Sequence, residues 1–225
     1  MKVEIFSIMK NEEAMLPFYL KHYQDRFKDC VINVYDNGST DNSIQICKDA
    51  GCNVGEFPVY TEEILKNWKN SIWKNSTADW IIVCDIDELL HITDFGLESL
   101  PEHVNVISTK GYTMMDVTDD NLPIEKLDHG VYAPPYCKNI MFKNNYITDM
   151  NYEMGAHQCN PVPTPVYSQD VYTLLHYNKY SFTLETFHKK FQFAKDTMNN
   201  DQLKVLNESL NVLFESSKIL AVKLL

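Results

Sequence analysis

Trp80-Ile81-Ile82-Val83-Cys84 runs straight into Asp85-Ile86-Asp87-Glu88. An unbroken apolar run with β-branched residues at its centre reads as a strand buried on both faces. A strand carries residues i and i+2 on one side. Asp85 and Asp87, leaving the end of this strand, therefore converge on one point. Two carboxylates held together repel unless a cation stands between them or both reach water. A hard divalent ion, Mg2+ or Mn2+, meets that need and keeps positions open for phosphate oxygens. The competing reading is a solvated acidic turn, the ordinary fate of Asp-x-Asp. The position at the end of a buried strand favours the metal.

Upstream of this stretch, strands alternate with helices. Residues 3–9 and 30–35 read as strands, and residues 53–57 as a third, shorter one. Residues 12–27 carry Leu16, Tyr19, Leu20, Tyr23 and Phe27 at helical spacing, with Pro17 near the first turn. Residues 42–50 form a helix closed by Gly51. Thr61 caps another running to residue 74, where Glu62 and Glu63 suit the N-terminal dipole. This order predicts an α/β fold, with a Rossmann-like, mostly parallel central sheet flanked by helices. In such sheets ligands bind at the carboxyl ends of the strands. Three polar clusters stand there: Lys10-Asn11-Glu12, residues 36–41 and residues 85–88. Ser39 and Asp41 read first as caps of the following helix. Trp68, Trp73 and Trp80 read as core or helix-packing residues rather than as ligand platforms.

Downstream, residues 104–109, 131–133, 139–143 and 171–177 are strand candidates separated by polar or Pro-rich loops. Residues 182–197 and 201–223 read as two helices broken at Asn199-Asn200. The expected organisation is one domain over residues 1–180, with residues 181–225 a helical appendage packed on it. Those helices also offer a surface for oligomer contact.

The 225 residues suit one such unit, and 44% apolar with 23% charged residues is the balance of a globular chain. The formal net charge of −11 argues against a nucleic-acid partner, whose phosphates are bound by clustered Lys and Arg. It also means that an anionic ligand needs a cation to mediate its contact. The six cysteines are scattered without a CxxC pair, as expected of reduced thiols in a cytosolic protein. The apolar run near the first residue is too short for a signal peptide. No stretch approaches the roughly 20 apolar residues of a membrane span. The expected location is cytoplasmic, at most peripheral to a membrane.

The pattern as a whole resembles glycosyltransferase family 2. The resemblance rests on residues 36–42 (Asp-Asn-Gly-Ser-Thr-Asp-Asn) after a strand and on residues 80–90 ending in Asp-Ile-Asp-Glu-Leu-Leu. It extends to Asn11-Glu12-Glu13 with Leu16-Pro17 and His22-Tyr23, and to His176-Tyr177 followed by Ser181 and Lys189. It implies a GT-A fold binding a nucleoside-diphosphate sugar, with a UDP-sugar favoured, through Mn2+ or Mg2+. The acceptor would be a hydroxyl on a glycan, a lipid-linked glycan or a protein. By the same resemblance Asp36 receives the base or ribose, and Asp85 lies near ribose and metal. Asp87 ligates the metal directly, and Asn11 and Glu12 line the nucleotide pocket. Lys66 and Asn70 are the candidates for a contact to the base.

The chemistry stands beside the family. Breaking an anomeric C–O bond places charge on the leaving diphosphate, which a divalent cation stabilises. The acceptor needs a general base. Asp116 and Glu153 are the candidates, because the family's usual Glu-Asp pair before a late helix is not visible. His176 and His157 are the candidates to complete the metal shell, His176 favoured because an apolar strand delivers it. Two other readings stand against this one. A haloacid-dehalogenase-type phosphatase also uses Asp-x-Asp, but on the first strand. A catalytically inactive nucleotide-sugar or carbohydrate-binding module would explain the missing base motif.

Overall fold

The computed structural model describes residues 1–57, 59–116, 122–177 and 221–225. Its first half runs β1 (Val3–Met9), α1 (Leu16–Arg26), β2 (Cys30–Asp36), α2 (Ser43–Asp49), β3 (Asn53–Glu56), α3 (Glu62–Ser71) and β4 (Trp80–Val83). The four strands pair in parallel in the order β4-β1-β2-β3. Alternate residues of the central strands feed two separate cores. Val3, Ile5, Trp80 and Ile82 join the one containing Tyr19, Tyr23 and Phe27 of the α1 segment. Phe6, Ile81 and Val83 join the one containing Trp73 and Phe142. Both faces are covered, which is why these strands are apolar throughout.

The register sets the site. Met9 pairs with Asp36 and Phe6 with Val83. The amide of Asn37 donates to Met9 O at 2.9 Å, and that of Cys84 to Phe6 O at 3.2 Å. Lys10, Asn37 and Asp85 therefore leave the sheet at one edge, as the alternation of strand and helix predicts.

The second half comprises β5 (Glu88–His91), α4 (Asp94–Glu98), β6 (Val106–Met115), β7 (His129–Tyr132), β8 (Met141–Lys143), β9 (Tyr167–His176) and β10 (Val222–Lys223). β8 continues the sheet antiparallel to β4. β6 pairs antiparallel with β7 and β8 and parallel with β9, and β9 in turn pairs antiparallel with β5. Among the described residues the result is one mixed sheet of ten strands, parallel in its first half.

Several boundaries differ from the sequence reading. α1 begins at Leu16 rather than residue 12, because the preceding residues are used for stitching. Asn11, at φ 54°, donates its amide to Ser39 Oγ, Glu12 to Ser43 Oγ, and Glu13 to Asp41 Oδ2. β5 and α4 were not expected, and β6 and β9 are longer than expected. The helix expected over residues 201–223 does not reach its end: Val222 and Lys223 form β10, paired with Gly130 and His129. The rest of the expected C-terminal helices, with Ser181 and Lys189, lies outside the described residues.

Other local readings hold. The Thr61 side chain accepts from Ile64 N, and Gly51 sits at φ 77° after α2. Asp41 Oδ1 accepts from Ser43 N at the start of α2, while Ser39 serves Asn11 instead. Trp73 and Trp80 are buried, and Trp68 packs edge-on against Tyr35 and Phe57. All six cysteines are free, Cys47 and Cys84 buried and the others half-buried.

Candidate functional site

Asp85 leaves β4 between two buried lysines. Lys69 lies one helical turn after Leu65 on the inward face of α3, so its stem is buried and its ammonium emerges at the sheet edge. It donates to Asp85 Oδ1 at 2.8 Å. Lys138, just before β8, donates to Glu88 Oε1 at 2.5 Å and lies 3.7 Å from Asp85 Oδ2. Glu88 Oε2 accepts the Asp85 amide at 3.1 Å, and the Glu88 amide returns to Asp85 O. The turn carrying the two aspartates is thus closed by its own backbone, by Glu88 and by two cations. Burial pushes the Asp85 carboxyl up, but Lys69 and Lys138 outweigh it and hold the group well below the usual range. Burial likewise disfavours the charged form of Lys138, and Glu88 and Asp85 reverse this, raising it.

Asp87 is treated differently. The Asp87 carbonyl accepts the Tyr177 amide at 2.8 Å, and its Oδ2 lies 3.4 Å from His176 Nε2. The β5–β9 register, with Glu88 opposite His176, brings the two together. Burial raises the Asp87 carboxyl, with Asp85 and Glu88 adding to the rise and His176 opposing it. His176 is 7% exposed and its Nδ1 has no hydrogen-bond partner among the described residues. The Tyr136 ring stacks on it at 3.8 Å and 17°.

A cleft of about 540 Å³ opens over these groups, lined at the carboxyl edge of the parallel strands by Lys10, Glu12 and Asn37, and elsewhere by Tyr60, Asp85, Asp87 and His176. The structure therefore assembles Glu12, Asp85, Asp87 and His176 of the predicted residues. Asp36 and Asn11 stand beside the cleft in supporting roles. The Asp36 carboxylate accepts the amides of Gly38 and Ser39, and Asn11 Oδ1 that of Thr40. Lys66, Asn70 and Glu153 instead line a second cavity of about 510 Å³. There the Asn70 amide donates to Tyr152 O and accepts from Tyr152 N, pinning residues 151–156 to α3. His157 is exposed, pairs its Nδ1 with Pro135 O at 2.8 Å and meets the Tyr136 ring edge-on. Asp116 is fully buried at the end of β6, its Oδ2 accepting the Leu122 amide.

The residues the sequence reading missed are Lys69, Lys138, Tyr60 and Tyr136. Lys69 had a signal, since it shares the apolar face of α3 with Leu65. Lys138 and Tyr136 had none, because the turn that presents them is placed by contacts distant in sequence.

Asp87 Oδ2 and His176 Nε2 are an oxygen and a nitrogen donor 3.4 Å apart, both residues lining the cleft. That donor set fits Mn2+ and fits Mg2+ less well. Among the described residues no three His, Cys, Asp or Glu side chains form a self-sufficient metal cage. A cation held here takes its remaining ligands from a phosphate-bearing molecule or from water.

No protein-family model matches the sequence. No curated protein matches it either. Among solved structures, the chain is similar to S. aureus TarS 1-349, at 15% identity and a TM-score of 0.46 over 84% of this chain. The same TarS fragment has been solved with UDP, at 14% identity and a TM-score of 0.47. It is also similar to glucosyl-3-phosphoglycerate synthase from Mycobacterium tuberculosis, solved with Mg2+ and UDP, at 17% identity and a TM-score of 0.33 over 50% of this chain. The chain spans 63% of the TarS fragment and 43% of the synthase. Likeness at this level is no guide to chemistry, which rests on the residues of the cleft.

Proposed function

We propose that the chain is a metal-dependent glycosyltransferase, moving a sugar from a nucleoside-diphosphate sugar to a hydroxyl acceptor. A UDP-sugar is the favoured donor and Mn2+ the favoured cation. The observation that carries this reading is the pairing of Asp87 with His176 at the carboxyl edge of a parallel sheet, under a cleft that Lys10, Glu12 and Asn37 also line. A parallel sheet binds its ligand at that edge, and an O,N donor pair there suits a cation that must also hold phosphate oxygens.

When bound, the cation would neutralise charge developing on the leaving diphosphate. Asp87 and His176 would hold it. Asp85 stays ionised through Lys69 and Lys138 and fixes the turn on which Asp87 sits. Asn37 and Glu12 offer hydrogen-bonding groups to the nucleoside, and Tyr60, half-exposed at the cleft, offers a ring face to the base. Asp36 keeps the loop between β2 and α2 in shape. Neither base candidate faces the cleft, since Asp116 is buried and engaged and Glu153 lines the second cavity.

Incubation with a panel of UDP-sugars, Mn2+ and simple glycan acceptors tests the reading through release of UDP. Mn2+-dependent release supports it. Binding without turnover makes the chain an inactive nucleotide-sugar module, and release of inorganic phosphate makes it a phosphatase. For location, no helix among the described residues is long and apolar enough to cross a membrane.

A further inference from the structure

We propose that Tyr136 is a positioning residue for His176, fixing the imidazole toward Asp87 by ring stacking in place of a hydrogen bond. The proposal rests on the reading of Asp87 and His176 as the cation-holding pair. A metal-binding histidine ordinarily donates its second ring nitrogen to a carboxylate, carbonyl or water, which sets the plane of the ring. His176 has no such partner among the described residues: Nε2 faces Asp87 Oδ2 at 3.4 Å and Nδ1 is buried without a hydrogen bond. What defines its plane is the Tyr136 ring, nearly parallel at 17° with centroids 3.8 Å apart.

Tyr136 is itself held from three sides. It ends the short 3-10 turn Pro134–Tyr136, in which Pro135 presents its carbonyl to His157 Nδ1. The His157 ring meets Tyr136 edge-on at 5.7 Å, and the Lys138 ammonium lies 5.5 Å from the Tyr136 ring centroid. The turn can lie this close to the sheet because β6 has a glycine beneath it. A Cβ on Gly111 would stand 2.2 Å from the Tyr136 carbonyl oxygen. Gly111 O accepts from Ala133 N at 2.9 Å, and Thr109 Oγ1 donates to Lys138 O at 2.7 Å. One turn thus delivers Tyr136 to His176 and Lys138 to Glu88 and Asp85. It also gives His157 a role: it braces the tyrosine that orients His176.

Two variants test this. Tyr136→Phe keeps the ring and Tyr136→Ala removes it. Free Mn2+ is measured by electron paramagnetic resonance in the presence of UDP. Tyr136→Ala is expected to weaken Mn2+ binding by about 10- to 100-fold, the usual cost of losing a supporting group behind a metal ligand. Tyr136→Phe is expected to stay within about twofold of the wild type, the stack surviving without the hydroxyl. Wild-type affinity in Tyr136→Ala, or equal losses in both variants, overturns the proposal. A metal-free crystal structure of each variant gives a second readout. The His176 ring should leave its orientation toward Asp87 in Tyr136→Ala and keep it in Tyr136→Phe. An unmoved ring in Tyr136→Ala overturns the positioning role even if the wild type binds no Mn2+ with UDP, a result that would instead remove the proposed function.

Discussion

Lys138 shows how much a single buried charge can decide. Its side chain is 4% exposed and that of its partner Glu88 1% exposed, so each is tolerable only beside the other. Lys138→Met strands Glu88 as an uncompensated buried anion, and urea unfolding should show a loss of about 3–5 kcal/mol. Adding Glu88→Gln should recover part of that loss, because the stranded charge is then gone; no recovery would mean that packing rather than charge holds the turn. Asp87 makes the opposite demand. Its raised carboxyl means that protons compete with a cation at higher pH than they would for an ordinary aspartate. Asp87→Asn should abolish Mn2+-dependent stabilisation by UDP and leave the metal-free protein folded. Full metal-dependent binding in that variant would rule out Asp87 as a ligand.

At the scale of elements, α1 and β5 meet through two neutral histidines. His22 Nε2 is 2.9 Å from Leu90 O, the His91 ring lies 4.9 Å from that of His22, and Arg26 reaches His91 Nδ1 at 3.3 Å. Burial, then the Arg26 charge, holds His22 down to about 3 and His91 to about 4. Both folded values lie below the ordinary 6.5 or so. Their contribution to stability is therefore complete above that pH and lost as the pH falls toward 4, where the unfolded chain takes up protons the folded one refuses. Urea midpoints of the wild type and of His22→Gln/His91→Gln, compared between pH 7 and pH 4, isolate the effect. The variant should lose less than the wild type over that interval, and parallel curves would contradict it. Gly111→Ala belongs to the same scale: overpacking against a backbone carbonyl should cost roughly 1–3 kcal/mol and loosen the turn bearing Tyr136 and Lys138. Legibility in the sequence follows the same division. β1, β2 and β4 could be read because each is a local apolar run, and the caps and turns at Gly51 and Thr61 leave room for β3 between them. β5 could not, since four residues carry no period and its partner β9 lies far along the chain.

In the whole molecule, the sequence's Asp-x-Asp and the strand delivering His176 were enough to find Asp87 and its neighbour. What stayed hidden was the countercharge. Lys69 and Lys138 arrive from α3 and from the approach to β8, and their convergence on Asp85 depends on tertiary packing. The same holds for Lys66 and Asn70, which were read as nucleotide contacts but line the second cavity, on a face of α3 adjacent to that of Lys69. A chain of net charge −11 still repels a free diphosphate in solution, and the two lysines are already committed to carboxylates. Nucleotide binding is therefore expected to require the cation. Thermal unfolding with UDP, in the presence of Mn2+ and of chelator, is the deciding experiment. With Mn2+ and UDP at about 100 times its Kd, stabilisation should reach about 2.7 kcal/mol, and with chelator it should vanish. Equal stabilisation by UDP with and without Mn2+, or none under either condition, would contradict the account.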